Sequence, residues 1–321
     1  MFGTLGLPAL AQDDARRLVD AALDAGIVRF DTADSYGKGE SERGIGELLA
    51  GVPRASIEIV SKVGLVWDGT RAVADLEPRA VRTRVEASLE RLGLDSLDVV
   101  LAHMPDTERG IDEVTATMAA LVAEGTVKAY GWSNFPIEDV VAAHYEARLA
   151  GTAVPTALQC QYNVLERSAE DGLFAAARRL GYEISVWGPL ASGWLTESAT
   201  STGAPSTSAS RARSRRATFD PQAPGNRRRV EVIGELALVA EELGMPIHRL
   251  AVAFVLAHRD VSRVVIGPSS LDELREYVAA AAVELPREAL ERIDAIVAPG
   301  STVNPADIAW RRPVLDDLRA R

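Results

Sequence analysis

The stretch I-V-R-F-D-T-A-D-S-Y-G (27–37) carries the first decision about the fold. I-V-R-F (27–30) reads as a short strand, and a polar cluster beginning at Asp31 stands directly behind it. An amphipathic stretch at 12–25, closed by Gly26, precedes the strand. A helix, a glycine stop, a short buried strand and reactive side chains at its end form one repeating unit.

Reading outward, the unit recurs. Strand candidates follow at I-E-I-V (57–60), L-D-V-V-L-A (97–102), V-K-A-Y-G-W (127–132), T-A-L-Q-C-Q (156–161), E-I-S-V-W (183–187) and R-V-V-I-G (263–267). Their near-continuous hydrophobicity suits strands covered on both faces, as in parallel sheets. Helical patterns lie between them at 41–49, 78–92, 111–124, 136–149, 169–180, 227–243, 247–257 and 271–282. Pro78 and Pro136 sit at helix starts, and Gly125, Gly181 and Gly244 at helix ends. Repeated strand–helix units over 321 residues predict a (β/α) barrel or a doubly wound sheet.

Polar residues at strand ends favour the barrel. Asp31, Lys62, His103, Ser133–Asn134 and Gln159 each fall at or just after a strand candidate. A barrel gathers such ends at one mouth, whereas an open sheet spreads them along an edge. No G-x-G-x-x-G follows a strand and no Walker A pattern occurs, which lowers the doubly wound dinucleotide-binding reading.

Composition narrows the function classes. A net charge of −11 argues against a phosphate-tracking nucleic-acid binder. One cysteine excludes an internal disulfide and a cysteine-built metal site, and four scattered histidines argue against a His cluster, so no metal is expected. No apolar run of about 18 residues and no signal-like N-terminus are present, so no membrane span is expected and the location reads as cytoplasmic. Residues 198–226 form a Ser/Ala/Arg/Pro-rich segment, expected as a long loop at the barrel mouth. It reads as a disordered surface loop or as a lid whose Arg211, Arg213, Arg215 and Arg216 approach an anionic ligand.

Asp31, Tyr36, Lys62 and His103 make chemical sense together. Tyrosine is a weak acid, with an ordinary pKa near ~10. A lysine ammonium beside it stabilises the phenolate, and an aspartate holds that lysine charged and in place. A neutral histidine can orient a carbonyl or relay a proton. Such a set protonates a carbonyl oxygen while hydride arrives at carbon. Each residue alone has an ordinary structural reading, as cap, snorkelling stem or loop histidine.

F-D-T-A-D-S-Y-G (30–37), I-V-S-K-V-G (59–64), L-D-V-V-L-A-H-M-P-D (97–106), G-W-S-N-F (131–135), Q-C-Q-Y-N (159–163), W-G-P-L-A-S-G-W-L (187–195) and I-G-P-S-S (266–270) resemble aldo-keto reductase motifs in order and spacing. The resemblance spans nearly the whole chain, as a single barrel domain over 1–321. It implies a (β/α)8 barrel that moves hydride between a nicotinamide cofactor, usually NADP with NAD possible, and an aldehyde, ketone or sugar. It makes Tyr36 the general acid, Lys62 the partner that lowers its pKa, Asp31 the partner of Lys62, and His103 the substrate-orienting residue. Trp187 would stack on the nicotinamide, and Ser133, Asn134 and Gln159 would bind its carboxamide. Gly188, Leu190, Ser192 and Gly193 would contact the pyrophosphate. Gly267, Ser269, Glu273, Glu276 and Tyr277 occupy adenosine-site positions.

Three departures shape the expectations. Family members usually carry a hairpin and a first strand before a similar F-G-T, and only seven strands are countable here, so that hairpin and strand are expected to be missing or truncated. Ser270 stands where the family often has a cation, and Glu273 and Tyr277 replace the commoner Gln and Asn, which weakens the case for 2′-phosphate binding. The H-M-P-D stretch (103–106) and the 198–226 segment are atypical, so the resemblance carries over no substrate. An NAD-dependent aldose dehydrogenase is the alternative within enzymes. A non-catalytic nucleotide-sensing subunit, like potassium-channel β subunits, is the alternative outside them. Oligomeric state is not legible.

Overall fold

The computed structural model describes residues 1–69, 72–202 and 219–310. Eight parallel strands make one sheet in the order β1 (Phe2–Gly3), β2 (Arg29–Asp31), β3 (Glu58–Val63), β6 (Leu97–Ala102), β7 (Val127–Ser133), β8 (Ala157–Gln161), β9 (Glu183–Trp187), β10 (Arg263–Val264). The short hairpin β4 (Leu65–Trp67) and β5 (Ala72–Ala74) lies apart from it. The sheet closes on itself: Phe2 bridges Ile266 in parallel, Gly3 N–H donates to the Ile266 carbonyl at 2.7 Å, and Ile266 N–H donates to the Met1 carbonyl at 3.0 Å. Closure removes the unpaired edges that an open sheet would expose.

The first strand, expected to be missing or truncated, is present and two residues long, which makes eight strands rather than the seven countable in the sequence. Phe2–Gly3 pairs with Phe30–Asp31 on one side and with the β10 end on the other. Two residues carry no readable alternation, which is why the strand escapes a pattern search.

Around the barrel run α1 (Gln12–Asp24), α2 (Glu40–Leu49), α3 (Pro78–Leu92), α4 (Ile111–Ala123), α5 (Ile137–Ala150), α6 (Leu173–Arg179), α7 (Glu197–Thr202), α8 (Pro224–Glu242), α9 (Ile247–Ala257), α10 (Leu271–Ala280) and α11 (Arg287–Ile296). Helix α3 shows the local logic. Glu77 accepts from Ala80 N–H as N-cap, Pro78 fills the first turn, and Gly93 ends the helix at φ 66°. The segment expected as a loop over 198–226 is helical at both described ends, in α7 and at the start of α8. Its four arginines, Arg211 to Arg216, lie outside the described residues.

Period-two alternation places the site. In β3, Val60 and Lys62 share one face, and in β6 Val99 and Leu101 do, with His103 two residues further on. Val60, Val99 and Leu101 form a small apolar cluster, joined by Met1, Ala129 and Ala157, separate from the large core under the helices. Arg29, Glu58, Glu183 and Arg263 pair around the opposite end of the barrel, at the strand starts.

Candidate active site

The ends of β2, β3, β6 and β8 bring Asp31, Lys62, His103 and Gln159 into one group, and the turn after β2 adds Tyr36. Lys62 is 1% exposed, so each of its ammonium protons needs a partner. Its Nζ donates to Asp31 Oδ2 at 2.7 Å, to the Thr32 carbonyl at 3.0 Å and to Tyr36 Oη at 3.2 Å. Asp31 Oδ1 accepts from Gln159 Nε2 at 2.8 Å. The His103 ring meets the Tyr36 ring edge-on at 5.7 Å, and its Nδ1 lies 3.4 Å from Ser35 Oγ.

Electrostatics separates the roles. Burial lifts the Tyr36 phenol above its ordinary pKa, against the pull of the Lys62 ammonium, so the phenol keeps its proton at neutral pH. The expected lowering by Lys62 is present, but in the free protein burial outweighs it. Burial also opposes the charge on Lys62, yet Asp31 and Tyr36 together raise its pKa and keep it an ammonium. Burial, and then the Lys62 charge, push His103 down to about 3, so the imidazole is neutral.

Beside this group, the β7 end and the β9 end form a second one. Trp187 Nε1 donates to Asn134 Oδ1 at 3.0 Å, and Asn134 Nδ2 donates to Ser133 Oγ at 3.1 Å and to the His103 carbonyl at 3.2 Å. Asn134 holds φ 61°, a left-handed conformation that non-glycine residues reach at a cost. After Trp187 the chain turns through Gly188, whose carbonyl accepts from Asn163 Nδ2 at 2.9 Å. Leu190 precedes two more left-handed non-glycine residues, Ala191 at φ 48° and Ser192 at φ 59°, and then Gly193. Such strain gathers where a backbone is shaped for a ligand.

Two sequence-predicted cofactor residues also hold hydrogen bonds within the protein. Gln159 donates to Asp31 through Nε2. Glu276 is held by Arg249 at 2.7 Å and His248 at 3.1 Å, and His248 also reaches Glu197 at 3.0 Å, so it ties α10 to α9 and α7. Gly267 precedes the capped start of α10. There Ser270 Oγ accepts from Glu273 N–H at 3.2 Å, and Glu273 Oε2 accepts from Ser269 N–H at 2.7 Å and Oγ at 2.9 Å. Tyr277 is largely buried against the core, and its phenol is raised by burial and by Glu273.

Three residues escaped the sequence reading. Ser35 touches His103. Asp34, beside it, holds a buried carboxylate 3.8 Å from the Arg84 guanidinium. Gln161, paired in register with Trp187, has a buried Oε1 without a partner. Period two from Gln159 would have put Gln161 on the same inner face, one step nearer the mouth.

Among the described residues no helix is long and apolar enough to cross a membrane. A family model described as the Aldo/keto reductase family matches residues 1–298. An uncharacterized oxidoreductase of Bacillus subtilis, YrpG, is 31% identical over 92% of this chain and 90% of its own length. The NADH-specific methylglyoxal reductase of Escherichia coli is 29% identical over 87% of each. A protein of Schizosaccharomyces pombe provisionally named voltage-gated potassium channel subunit beta is 31% identical over 96% of this chain and 90% of its own. Among solved structures, the holo form of the aldo-keto reductase AKR11C1 from Bacillus halodurans superimposes with a TM-score of 0.71 at 25% identity, over 94% of this chain and 92% of that one. With a closed eight-stranded barrel and this match over most of its length, the chain belongs to the aldo/keto reductase family and is an oxidoreductase.

Proposed function

We propose that the protein interconverts a small aldehyde, ketone or sugar carbonyl and its alcohol, with Tyr36 as the proton donor to the carbonyl oxygen. The observation that carries this reading is the Lys62 ammonium, bonded at once to Asp31, Thr32 and Tyr36 beside a neutral His103. A nicotinamide cofactor, when bound, supplies or accepts the hydride. The chain's own residues handle the proton. Tyr36 Oη gives its hydrogen to the substrate oxygen, and the phenolate left behind is stabilised by Lys62 at 3.2 Å. Asp31 and Gln159 hold Lys62 in line, and His103 orients the carbonyl.

The residues at the mouth fit such a cofactor. Gln161 Oε1 is an unpartnered acceptor suited to a carboxamide N–H₂, and Ser133 and Asn134 are already linked beside it to Trp187. The 188–193 turn, with its left-handed residues, suits a pyrophosphate approached by backbone.

Cofactor choice follows from the start of α10. The Glu273 carboxylate already takes the Ser269 donors there, so a 2′-phosphate would meet a negative charge. This supports use of NAD at least as readily as NADP. The E. coli relative with an NADH-specific name is consistent with that preference. Measuring kcat/KM with NADH and NADPH on a panel of aldehydes tests both parts. No turnover with any carbonyl or alcohol would favour the regulatory-subunit reading, and a strong NADPH preference would reject the cofactor assignment alone.

A further inference from the structure

A neutral imidazole carries one proton, and the partner of one ring nitrogen decides where it sits. Burial and the Lys62 charge favour the neutral form of His103 at neutral pH. Among the described residues, the only side-chain hydrogen-bond partner of its ring is Ser35 Oγ, 3.4 Å from Nδ1, and nothing bonds Nε2. We propose that Ser35 is a positioning residue that sets the tautomer of His103: its hydroxyl donates to Nδ1, so the ring proton rests on Nε2 and is offered to the substrate oxygen. The proposal rests on His103 being the substrate-orienting residue.

The barrel framework, rather than chance proximity, sets this contact. The 31–36 turn is pinned by Thr32 N–H to the Val60 carbonyl at 2.9 Å, Asp34 N–H to the Lys62 carbonyl at 3.0 Å, and Tyr36 N–H to the Ala33 carbonyl at 3.2 Å. His103 is pinned by its own N–H to the Val63 carbonyl at 2.9 Å and by Asn134 Nδ2 on its carbonyl at 3.2 Å. Two residues 68 positions apart therefore face each other across the end of β3, which lies between their strands. At 3.4 Å the bond is long, as catalytic hydrogen bonds often are before substrate binds.

A hydroxyl can donate or accept, so geometry leaves the direction open and chemistry selects it. If Nδ1 carried the proton, Nε2 would turn a lone pair toward the lone pairs of a carbonyl oxygen. With the hydroxyl donating to Nδ1, that clash disappears. A valine or alanine at this position would leave the ring free to choose, so the serine in D-S-Y-G adds a constraint of its own.

The test is ¹⁵N NMR of histidine-labelled full-length protein near neutral pH. The chain has only four histidines, and His103→Gln identifies the relevant signals by their loss. We expect a pyrrole-like Nε2 and a pyridine-like Nδ1 in the wild type. Ser35→Ala should shift His103 toward a mixture of tautomers, and Ser35→Thr, which keeps the hydroxyl, should restore the wild-type pattern. In turnover, Ser35→Ala should lower kcat by about tenfold, the worth of one ordinary hydrogen bond, and Ser35→Thr should recover most of it. A wild-type proton on Nδ1, or an unchanged spectrum in Ser35→Ala, overturns the proposal. The spectra need no turnover. A protein that reduces no carbonyl yet shows the Ser35-dependent tautomer would sink the proposed function and leave the tautomer assignment standing.

Discussion

Lys62 Nζ lies 2.7 Å from Asp31 Oδ2, and both side chains are at most 3% exposed. A buried ion pair of this kind adds little net stability over an apolar pair, because desolvation offsets the attraction. Breaking it from one side is different. Lys62→Met leaves Asp31 as an uncompensated buried charge and should cost about 3–5 kcal/mol. The double variant Asp31→Asn, Lys62→Met should lose clearly less than the sum of the single changes. Urea unfolding of the four proteins measures this, and simple additivity would mean that the pair is not coupled.

Tyr36→Phe should lower the rate of carbonyl reduction by roughly 10²–10⁴ while leaving cofactor affinity within a few-fold. Among the described residues, the phenol is the group whose proton is both retained at neutral pH and backed by the Lys62 ammonium. Steady-state kinetics and fluorescence titration with NADH separate the two effects. Near-normal turnover in the variant would reject Tyr36 as the acid.

Asp34 should make the protein less stable as pH rises. Burial pushes its carboxyl from 3.8 up to about 6, against the pull of Arg84. Between those values the unfolded chain is ionised while the folded protein holds its proton. Stability is therefore greater below the lower value and falls as pH passes through the folded one, by about 2–3 kcal/mol in all. Asp34→Asn should remove that slope and be more stable than wild type at about pH 8, by roughly 1–3 kcal/mol. Chemical unfolding at several pH values checks it, and parallel wild-type and variant curves would contradict it.

Gly131→Ala should be strongly destabilising. A Cβ there would lie 1.8 Å from the Ala157 carbonyl oxygen, a backbone atom of the neighbouring strand. Strands β7 and β8 would have to part just below Ser133 and Gln159. The cost should reach the upper end of the range for overpacking, about 3 kcal/mol or more. Thermal and urea midpoints close to wild type would show that the strands yield easily.

Glu273→Gln should shift cofactor choice toward NADPH by roughly tenfold, since the carboxylate at the start of α10 opposes a 2′-phosphate. Ser270→Arg should add a further gain in the same direction. Comparing kcat/KM for NADH and NADPH decides it. An unchanged ratio in both variants would place the 2′ position elsewhere.

Much of the barrel was legible because its signals are local. Runs such as L-D-V-V-L-A (97–102) declare a buried strand, and polar residues at strand ends need only period-two counting to be assigned inward. The β4–β5 hairpin also has a local signal, Asp68-Gly69 directly after L-V-W (65–67).

The residues alone determined which side chains stand at the barrel mouth and that Asp31, Tyr36, Lys62 and His103 suit one chemistry. Only the tertiary structure decided who pairs with whom. Phe2–Gly3 becomes a strand because Ile266, 264 positions away from Phe2, supplies the missing edge. Gln159 is committed to Asp31 across 128 positions, and Ser35 meets His103 across 68. Local pattern records a face and a rung, whereas a hydrogen bond needs two rungs at one height, which closure of the sheet sets. The same holds for the charge states: how far burial outweighs the Lys62 field at Tyr36 depends on the packing around both groups, and no spacing in the chain encodes it.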